Sequence, residues 1–299
     1  MDQIRIVFLG TSAGMPSRSR NVASVAVVMD GRVLLFDCGE GTQHQLMRSE
    51  HVRSGGIEAI FITHLHGDHL FGLPGLLGSL GLGGRREPLV VYGPHGIAAY
   101  LKSIPYFGMA YELSVVEIEA GEVRRGHGYR VRAAPVVHHA PCFAYRVDED
   151  ERPGKFDADK ARALGVPPGP LFGALQRGED VDGVRSADVV GPSRPGRSVV
   201  YCTDTRPCES AVSLARDVDV LIHESTYDAS LSAEAIARDH STATEAATVA
   251  RDANAGRLIL THISPRYESA EPLIAEARAT FPNTDAASDF ACFDVPRPL

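Results

Sequence analysis

The apolar run Ile60-Phe61-Ile62 ends directly in Thr63-His64-Leu65-His66-Gly67-Asp68-His69, and this junction restricts the fold more than any other stretch of the chain. Apolar, β-branched residues in a short run bounded by polar ones read as a buried strand. The segment His64–His69 then sets three imidazoles and a carboxylate in a single turn at the end of that strand. A lone histidine is most often a hydrogen-bonded structural residue, but this density of donors suits a metal such as zinc, which takes imidazole at about 2.0–2.1 Å and carboxylate at about 2.0–2.2 Å. One turn cannot complete a site for two metals. The fold must therefore carry further donors to the same place.

Three candidates have the same local context. His138 follows Ala134-Pro135-Val136-Val137, Asp204 follows Val199-Val200-Tyr201-Cys202-Thr203, and His262 follows Leu258-Ile259-Leu260-Thr261. Each donor ends an expected strand, and each taken alone could be an ordinary turn residue. Together with the histidine turn they describe one site along the carboxyl edges of the sheets. A carboxylate shared by two ions holds them about 3.5–4 Å apart, the spacing used for in-line attack at phosphorus.

Along the chain, expected strands at 4–9, 24–29, 32–37, 59–63, 89–92, 115–118, 131–135, 143–147, 198–203, 218–223 and 257–261 alternate with expected helices at 68–80, 94–103, 242–252 and 271–280. The alternation repeats in two halves, which predicts two sheets covered on their outer faces by helices. The segment 148–197 breaks the pattern, because its glycine and proline density speaks against core structure. An insertion of this length is either functional or a solvated linker.

Composition narrows the function classes. A formal net charge of -8 argues against non-specific coating of nucleic acid, DNA included, because that mode rests on many phosphate contacts. Only three lysines occur, so nearly all positive charge is arginine, the better bidentate partner for phosphate. No apolar run is long enough to span a membrane, and residues 1–9 do not resemble a secretory leader. Five scattered cysteines without a CxxC pair fit neither a disulfide framework nor a zinc ribbon, so a reducing cytoplasm is expected.

The histidine turn and the three later donors resemble the metallo-β-lactamase superfamily, and the flanking motifs resemble its ribonuclease Z family. The motifs are Phe36-Asp37-Cys38-Gly39-Glu40-Gly41-Thr42-Gln43, the loop Pro16-Ser17-Arg18-Ser19-Arg20-Asn21, the run from Val199 to Asp204 with Thr205-Arg206, and Thr261-His262-Ile263-Ser264-Pro265-Arg266-Tyr267. The likeness runs from about residue 4 to about residue 267. It implies a four-layer αβ/βα sandwich: an α/β fold of two mixed β-sheets flanked by helices, as a single domain over residues 1–299 with a protruding arm at about 148–197.

Carried over residue by residue, the resemblance implies two Zn2+ per subunit, or Mn2+ or another divalent metal in their place. His64, His66, His138 and Asp204 would hold one ion, and Asp68, His69, Asp204 and His262 the other, with Asp37 supporting them. His138 is preferred to His139 because Ala140-Pro141-Cys142-Phe143-Ala144-Tyr145-Arg146 then keeps the family's spacing, although Ala144 stands where glycine is common. His223-Glu224-Ser225-Thr226 and His240-Ser241-Thr242 resemble the pair in which a glutamate orients a histidine that protonates the leaving oxygen. Asp68, Glu224 and His240 are thus the expected catalytic residues. His240-Ser241-Thr242 followed by Glu245 also reads as a helix start with a capping hydroxyl.

The remaining implications concern substrate. Leu164-Gly165-Val166-Pro167-Pro168-Gly169-Pro170-Leu171-Phe172-Gly173-Ala174-Leu175 resembles the family's arm that grips the tRNA elbow, although residues 146–197 hold nine Lys or Arg against ten Asp or Glu. Expected substrate-binding residues are Arg18, Arg20, Asn21, Ser264, Arg266, Pro168, Gly169 and Pro170. The implied partner is precursor tRNA, cleaved to release its 3′ trailer by a homodimer. Competing readings are another hydrolase of the superfamily (a phosphodiesterase, arylsulfatase or lactonase) and a catalytically silent RNA-binding protein.

Overall fold

The computed structural model describes residues 3–105 and 110–297. Its strands, in chain order, are β1 Ile4–Gly10, β2 Ser24–Met29, β3 Arg32–Phe36, β4 Ile57–Phe61, β5 Leu89–Gly93, β6 Leu113–Glu117, β7 Gly121–Gly126, β8 Tyr129–Val136, β9 Cys142–Glu149, β10 Ser198–Cys202, β11 Val220–Glu224, β12 Arg257–Thr261, β13 Thr284–Ala286 and β14 Cys292–Asp294. They form two seven-stranded sheets, in the orders β14-β1-β2-β3-β4-β5-β6 and β13-β12-β11-β10-β9-β8-β7. Both are mixed. In the first, β3 to β6 run parallel while β14, β1, β2 and β3 pair antiparallel. In the second, β10 to β13 are parallel and β7–β8 is an antiparallel pair.

Period-two alternation within each strand sorts its side chains between layers. Ile4, Ile6 and Phe8 of β1 join Phe36, Phe61 and Tyr92 against Tyr129, Tyr145, Tyr201 and Ile222 of the other sheet, filling the space between sheets. Val7 and Leu9 face outward, onto Leu73, Leu76, Leu77 and Leu80 of the helix Leu73–Leu82. On the far side, Val200, Leu221, Leu258 and Leu260 pack under Ala243, Ala246, Ala247 and Ala250 of the helix Ala243–Asp252 and Leu273 and Ala277 of Glu271–Thr280. This is the expected four-layer sandwich. Strands apolar on both faces are what sheets covered on both sides require.

Two local readings are corrected. The expected helix at 68–80 is broken into Gly67–Leu70 and Leu73–Leu82. At the break, a Cβ on Gly72 would lie 2.0 Å from the carbonyl oxygen of Gly39, and the Gly72 N–H donates to Cys38 O at 2.9 Å, so backbone contact with the Asp37 loop overrides the helical pattern. The second correction concerns 148–197, read as lacking core structure. Asp148–Arg197 instead forms a compact unit of its own. It contains the helices Ala158–Ala163, Pro170–Gln176 and Ser186–Val189 around a small core of Ala161, Val166, Leu175, Val184 and Val189. Within it the Arg197 guanidinium donates to both oxygens of Glu149 at 2.8 Å, and both side chains are buried. The glycines and prolines, Pro170 and Gly173 apart, fall outside these short helices.

Phe61 stacks between Phe36 and Tyr92, with ring centroids 5.1 and 5.0 Å away, and meets the edge of Tyr145 at 5.4 Å. Its truncation leaves a cavity in the layer that sets the spacing of the sheets. Phe61→Ala is therefore expected to lower unfolding free energy by about 3–5 kcal/mol in denaturant titrations. The partly exposed Val116→Ala should change it by less than about 0.5 kcal/mol.

Candidate metal centre

The site lies at the carboxyl ends of the strands. β4 leads into Thr63 and the histidine turn, β8 into His138, β10 into Asp204 and β12 into His262. Parallel register sets the last elements side by side, since Cys202 pairs with His223 and Glu224 with Thr261. Asp37, Asp204 and His262 have φ of 56°, 47° and 54°. A non-glycine residue in this left-handed region costs about 1–3 kcal/mol, and such outliers cluster at functional sites.

Two sets of donors converge, each with its ligand atoms within 4.8 Å of one another: His64, His66, His138 and Asp204, and Asp68, His69, Asp204 and His262. In the first, His64 Nε2 lies 2.8 Å from His66 Nδ1, which lies 3.3 Å from His138 Nε2. Asp204 Oδ2 faces His64 Nε2 at 3.6 Å and His138 Nε2 at 3.9 Å. In the second, Asp204 Oδ1 faces His69 Nε2 at 3.3 Å and His262 Nε2 at 3.1 Å, and Asp68 Oδ2 lies 3.3 and 3.4 Å from the same nitrogens. One carboxylate thus presents one oxygen to each set. His139 is exposed, its ring 4.0 Å from that of His138 and 4.7 Å from that of His66, and it belongs to neither set.

The chemistry of the opposite ring nitrogens decides whether these donors fit a metal. His64 Nδ1 meets Thr63 Oγ1 at 3.0 Å, His69 Nδ1 meets Asp37 Oδ2 at 2.7 Å, His138 Nδ1 meets Asp239 O at 3.1 Å and His262 Nδ1 meets Thr226 Oγ1 at 3.0 Å. Thr63 Oγ1 itself donates to Asp37, and Thr226 Oγ1 to Glu224 Oε2, so both hydroxyls accept from the rings. The ring protons are placed outward and the inner nitrogens present lone pairs to one another and to carboxylate oxygens. A cation resolves that repulsion, and the mixed imidazole and carboxylate set suits zinc.

Electrostatics follow the same layout. Burial lowers the pKa of His138 to about 4, against a partial rise from Asp204. Burial also works against charging His69, but Asp204, Asp68 and Asp37 together raise its pKa well above the usual range, so a proton on its inner nitrogen relieves the same repulsion that a cation would. Burial favours the neutral acid at Asp204, and the surrounding histidines, His262 and His69 foremost, outweigh it and hold the carboxylate ionised.

Supporting contacts extend beyond what motifs reveal. Buried Asp37 accepts from Thr63 N at 2.8 Å, Thr63 Oγ1 at 3.0 Å and Tyr201 OH at 2.9 Å besides His69. Tyr201 comes from the facing sheet and Gly14 N–H, from a distant loop, donates to Asp68 Oδ2 at 2.8 Å. Thr63, Thr226, Tyr201 and Gly14 were not legible as site residues. For Thr63, Thr226 and Tyr201 the only signal is proximity in sequence to a site residue, Gly14 has none, and for Tyr201 and Gly14 the partner is far away in the chain.

Beside the donors, Glu224 is buried and fully engaged. Its Oε1 accepts from Thr205 N at 2.7 Å and faces His240 Nδ1 at 2.9 Å, while Oε2 accepts from Thr226 Oγ1 at 2.6 Å and Thr226 N at 3.2 Å. Glu224, His240 and His262 also come within metal-binding range, but those bonds make Glu224 an anchor for His240. The His240 ring lies 5.3 Å from that of His138 and 5.5 Å from that of His262, so it faces both sets. Burial opposes its charging, yet the Glu224 carboxylate raises its pKa to about 9. Thr242 caps the following helix in a reciprocal box with Glu245, which resolves the choice between Ser241 and Thr242.

The other expected residues are more dispersed. Arg18 is exposed, whereas Arg20 turns inward, donating to Thr11 Oγ1 and Ala287 O at 2.7 Å. Asn21 Nδ2 donates to Glu40 O at 2.8 Å. Arg266 lies over Tyr227 at 4.9 Å and donates to Ser264 Oγ and Glu234 Oε2, both at 3.1 Å. Pro168, Gly169 and Pro170 are exposed at the start of the helix Pro170–Gln176.

Comparison with known proteins assigns this architecture. A family described as a Beta-lactamase superfamily domain matches residues 32–159 and 176–263. Ribonuclease Z of Acaryochloris marina is 48% identical over 309 aligned positions, covering 98% of each chain, and that of Methanosarcina acetivorans is 42% identical with the same coverage. The chain belongs to the ribonuclease Z family. The crystal structure of human tRNase Z, short form, superposes with a TM-score of 0.69 at 28% identity, covering 98% of this chain and 99% of that one. Among the described residues of this family member, no helix is long and apolar enough to cross a membrane.

Asp37→Asn removes one of the acceptors that hold His69 and Thr63 in place. Disturbing such outer partners typically lowers metal affinity about 10- to 100-fold. Chelator competition should show that loss while far-ultraviolet circular dichroism stays unchanged.

Proposed function

We propose that this chain is a metal-dependent endoribonuclease that removes 3′ trailers from precursor tRNA. The observation that carries the proposal is the Glu224–His240 pair, held at 2.9 Å beside a complete seven-donor site in a member of the ribonuclease Z family. His64, His66, His138 and Asp204 would hold one Zn2+ and Asp68, His69, Asp204 and His262 the other, with Mn2+ as a substitute. When bound, such ions lower the pKa of water to about 7 and offset charge on a phosphate.

The residues of the chain supply the rest. Asp68, whose Oδ2 is fixed by Gly14 N–H, orients the attacking water and takes up its proton. The water oxygen bonds to phosphorus after the discriminator nucleotide and the bond from phosphorus to the ribose 3′-oxygen breaks. That oxygen is a poor leaving group and takes a proton from His240, whose Nδ1 is given to Glu224 so that the opposite ring nitrogen faces the reaction. The products are a tRNA with a 3′-hydroxyl and a trailer with a 5′-phosphate. Arg266 adds positive charge near the departing bond.

Substrate selection belongs, in this reading, to the inserted unit at about 148–197 acting as a tRNA-binding arm on a single catalytic domain, with Pro168-Gly169-Pro170 meeting the folded RNA. Recognition through shape and backbone suits a unit that is not strongly basic. Arg18 and Asn21 contact RNA near the cleaved bond. The active species is a cytoplasmic homodimer.

A labelled precursor tRNA and a small phosphodiester, each tested with and without chelator, check the assignment. Cleavage of the small ester alone would sink it. His240→Ala should keep its metal content by elemental analysis while precursor cleavage falls about 10²- to 10⁴-fold. Removing residues 153–191 should abolish precursor cleavage yet preserve hydrolysis of the small ester, and equal loss of both would make the arm a structural element only.

A further inference from the structure

We infer that Arg206 is a positioning residue that aims His240 at the leaving oxygen. The inference rests on the proton-donor role proposed above. The side chain of Arg206 reaches the turn carrying His240 in two ways. Its Nη1 donates to the carbonyl oxygen of His240 itself and to Glu245 Oε2 at 2.9 Å, while Nη2 donates to Glu245 Oε1. Glu245 in turn accepts from Thr242 N at 2.9 Å and completes the cap of the helix Ala243–Asp252. One guanidinium therefore ties the backbone of His240 to the helix that begins three residues later.

The backbone of Arg206 is engaged separately. Its N–H donates to Val137 O at 2.8 Å, next to the metal donor His138, and the adjoining Thr205 N–H donates to Glu224 Oε1 at 2.7 Å. These bonds survive any change of the Arg206 side chain. So do the bond from Ser241 Oγ to Thr205 O at 2.5 Å and that from His138 Nδ1 to Asp239 O at 3.1 Å. The side chain thus acts on the placement of His240 without holding the metal donors.

Arginine is the residue type this task needs. A planar fork of donors can satisfy a carboxylate on both oxygens and a neighbouring carbonyl at once, whereas the ammonium of lysine is a point charge on a flexible stem. The pair is mostly shielded from solvent, with side-chain exposures of 18% for Arg206 and 28% for Glu245. It sits behind His240, bonded to main chain and to Glu245, and its geometry serves orientation and not charge transfer. A histidine displaced by about 1 Å from its target can lose about 10²-fold in rate while binding is unaffected.

Arg206→Gln and Arg206→Lys, with Glu245→Gln as an independent variant, are compared on two substrates: precursor tRNA, and a p-nitrophenyl phosphodiester whose leaving group departs without a proton. Turnover of precursor tRNA should fall about 10- to 100-fold with KM and metal content unchanged, and p-nitrophenyl ester hydrolysis should stay within about threefold of the unmodified chain. Equal losses on both substrates, a raised KM for tRNA with turnover intact, loss of metal or unchanged precursor turnover would each overturn the inference. His240→Ala is run alongside: if that variant shows no difference between the two leaving groups, the proton-donor assignment itself falls, a failure distinct from one confined to Arg206.

Discussion

Lone pairs crowded against lone pairs set the terms for this molecule. Inner ring nitrogens and carboxylate oxygens lie 2.8 to 3.9 Å apart across the two donor sets, closer than uncompensated acceptors tolerate. The crowding is imposed from outside, because Thr63, Asp37, Asp239 and Thr226 occupy the outer nitrogens of four of the histidines. Thr63, Asp37 and Thr226 follow strands of both sheets and Asp239 follows the helix Ser232–Ala237, so each ring orientation is a consequence of the whole sandwich. Asp37 shows the dependence most directly, since its donors come from the histidine turn and, through Tyr201, from the opposite sheet. A buried carboxylate that lost them would carry an uncompensated charge.

The same edge that gathers the two donor sets gathers the Glu224–His240 pair. β10, β11 and β12 are parallel neighbours, so Asp204, Glu224 and His262 leave the sheet side by side. Left-handed backbone at Asp204 and His262 turns these chain segments sharply as soon as the strands end. Glu224 directs its carboxylate oxygens to Thr205, Thr226 and His240, which couples the orientation of His240 to the turn carrying Asp204. Arg206 and Glu245 then fasten that assembly to the capped helix behind it. The candidate metal donors and the Glu224–His240 pair are therefore placed by one set of strand ends.

How much of this was legible in the sequence depends on distance along the chain. The strand before the histidine turn, the helices at Ala243–Asp252 and Glu271–Thr280 and the cap ahead of the former follow from periodicity and local hydrogen bonding. The site donors were legible because each ends an apolar run. Misreadings arose where long-range contact overrode local pattern: the interrupted helix at Gly72, dictated by the backbone of Gly39, and the inserted unit, whose small core is assembled from residues spaced by turns. The inward turn of Arg20 onto Thr11 and Ala287 likewise depends on partners in other parts of the fold.

By itself, the amino-acid order determined which residue types end which strands, and hence that imidazoles and carboxylates would share one sheet edge in a fold of alternating elements. Those are properties of short windows, where apolar periodicity and turn chemistry act between neighbours. Only the tertiary structure decided which ring nitrogen faces inward, that Asp204 gives one oxygen to each donor set, that Tyr201 reaches Asp37 across the core and that Arg206 holds the turn of His240. Each of these is a contact between residues far apart in the chain, and its distance and direction exist only once the two sheets have packed face to face.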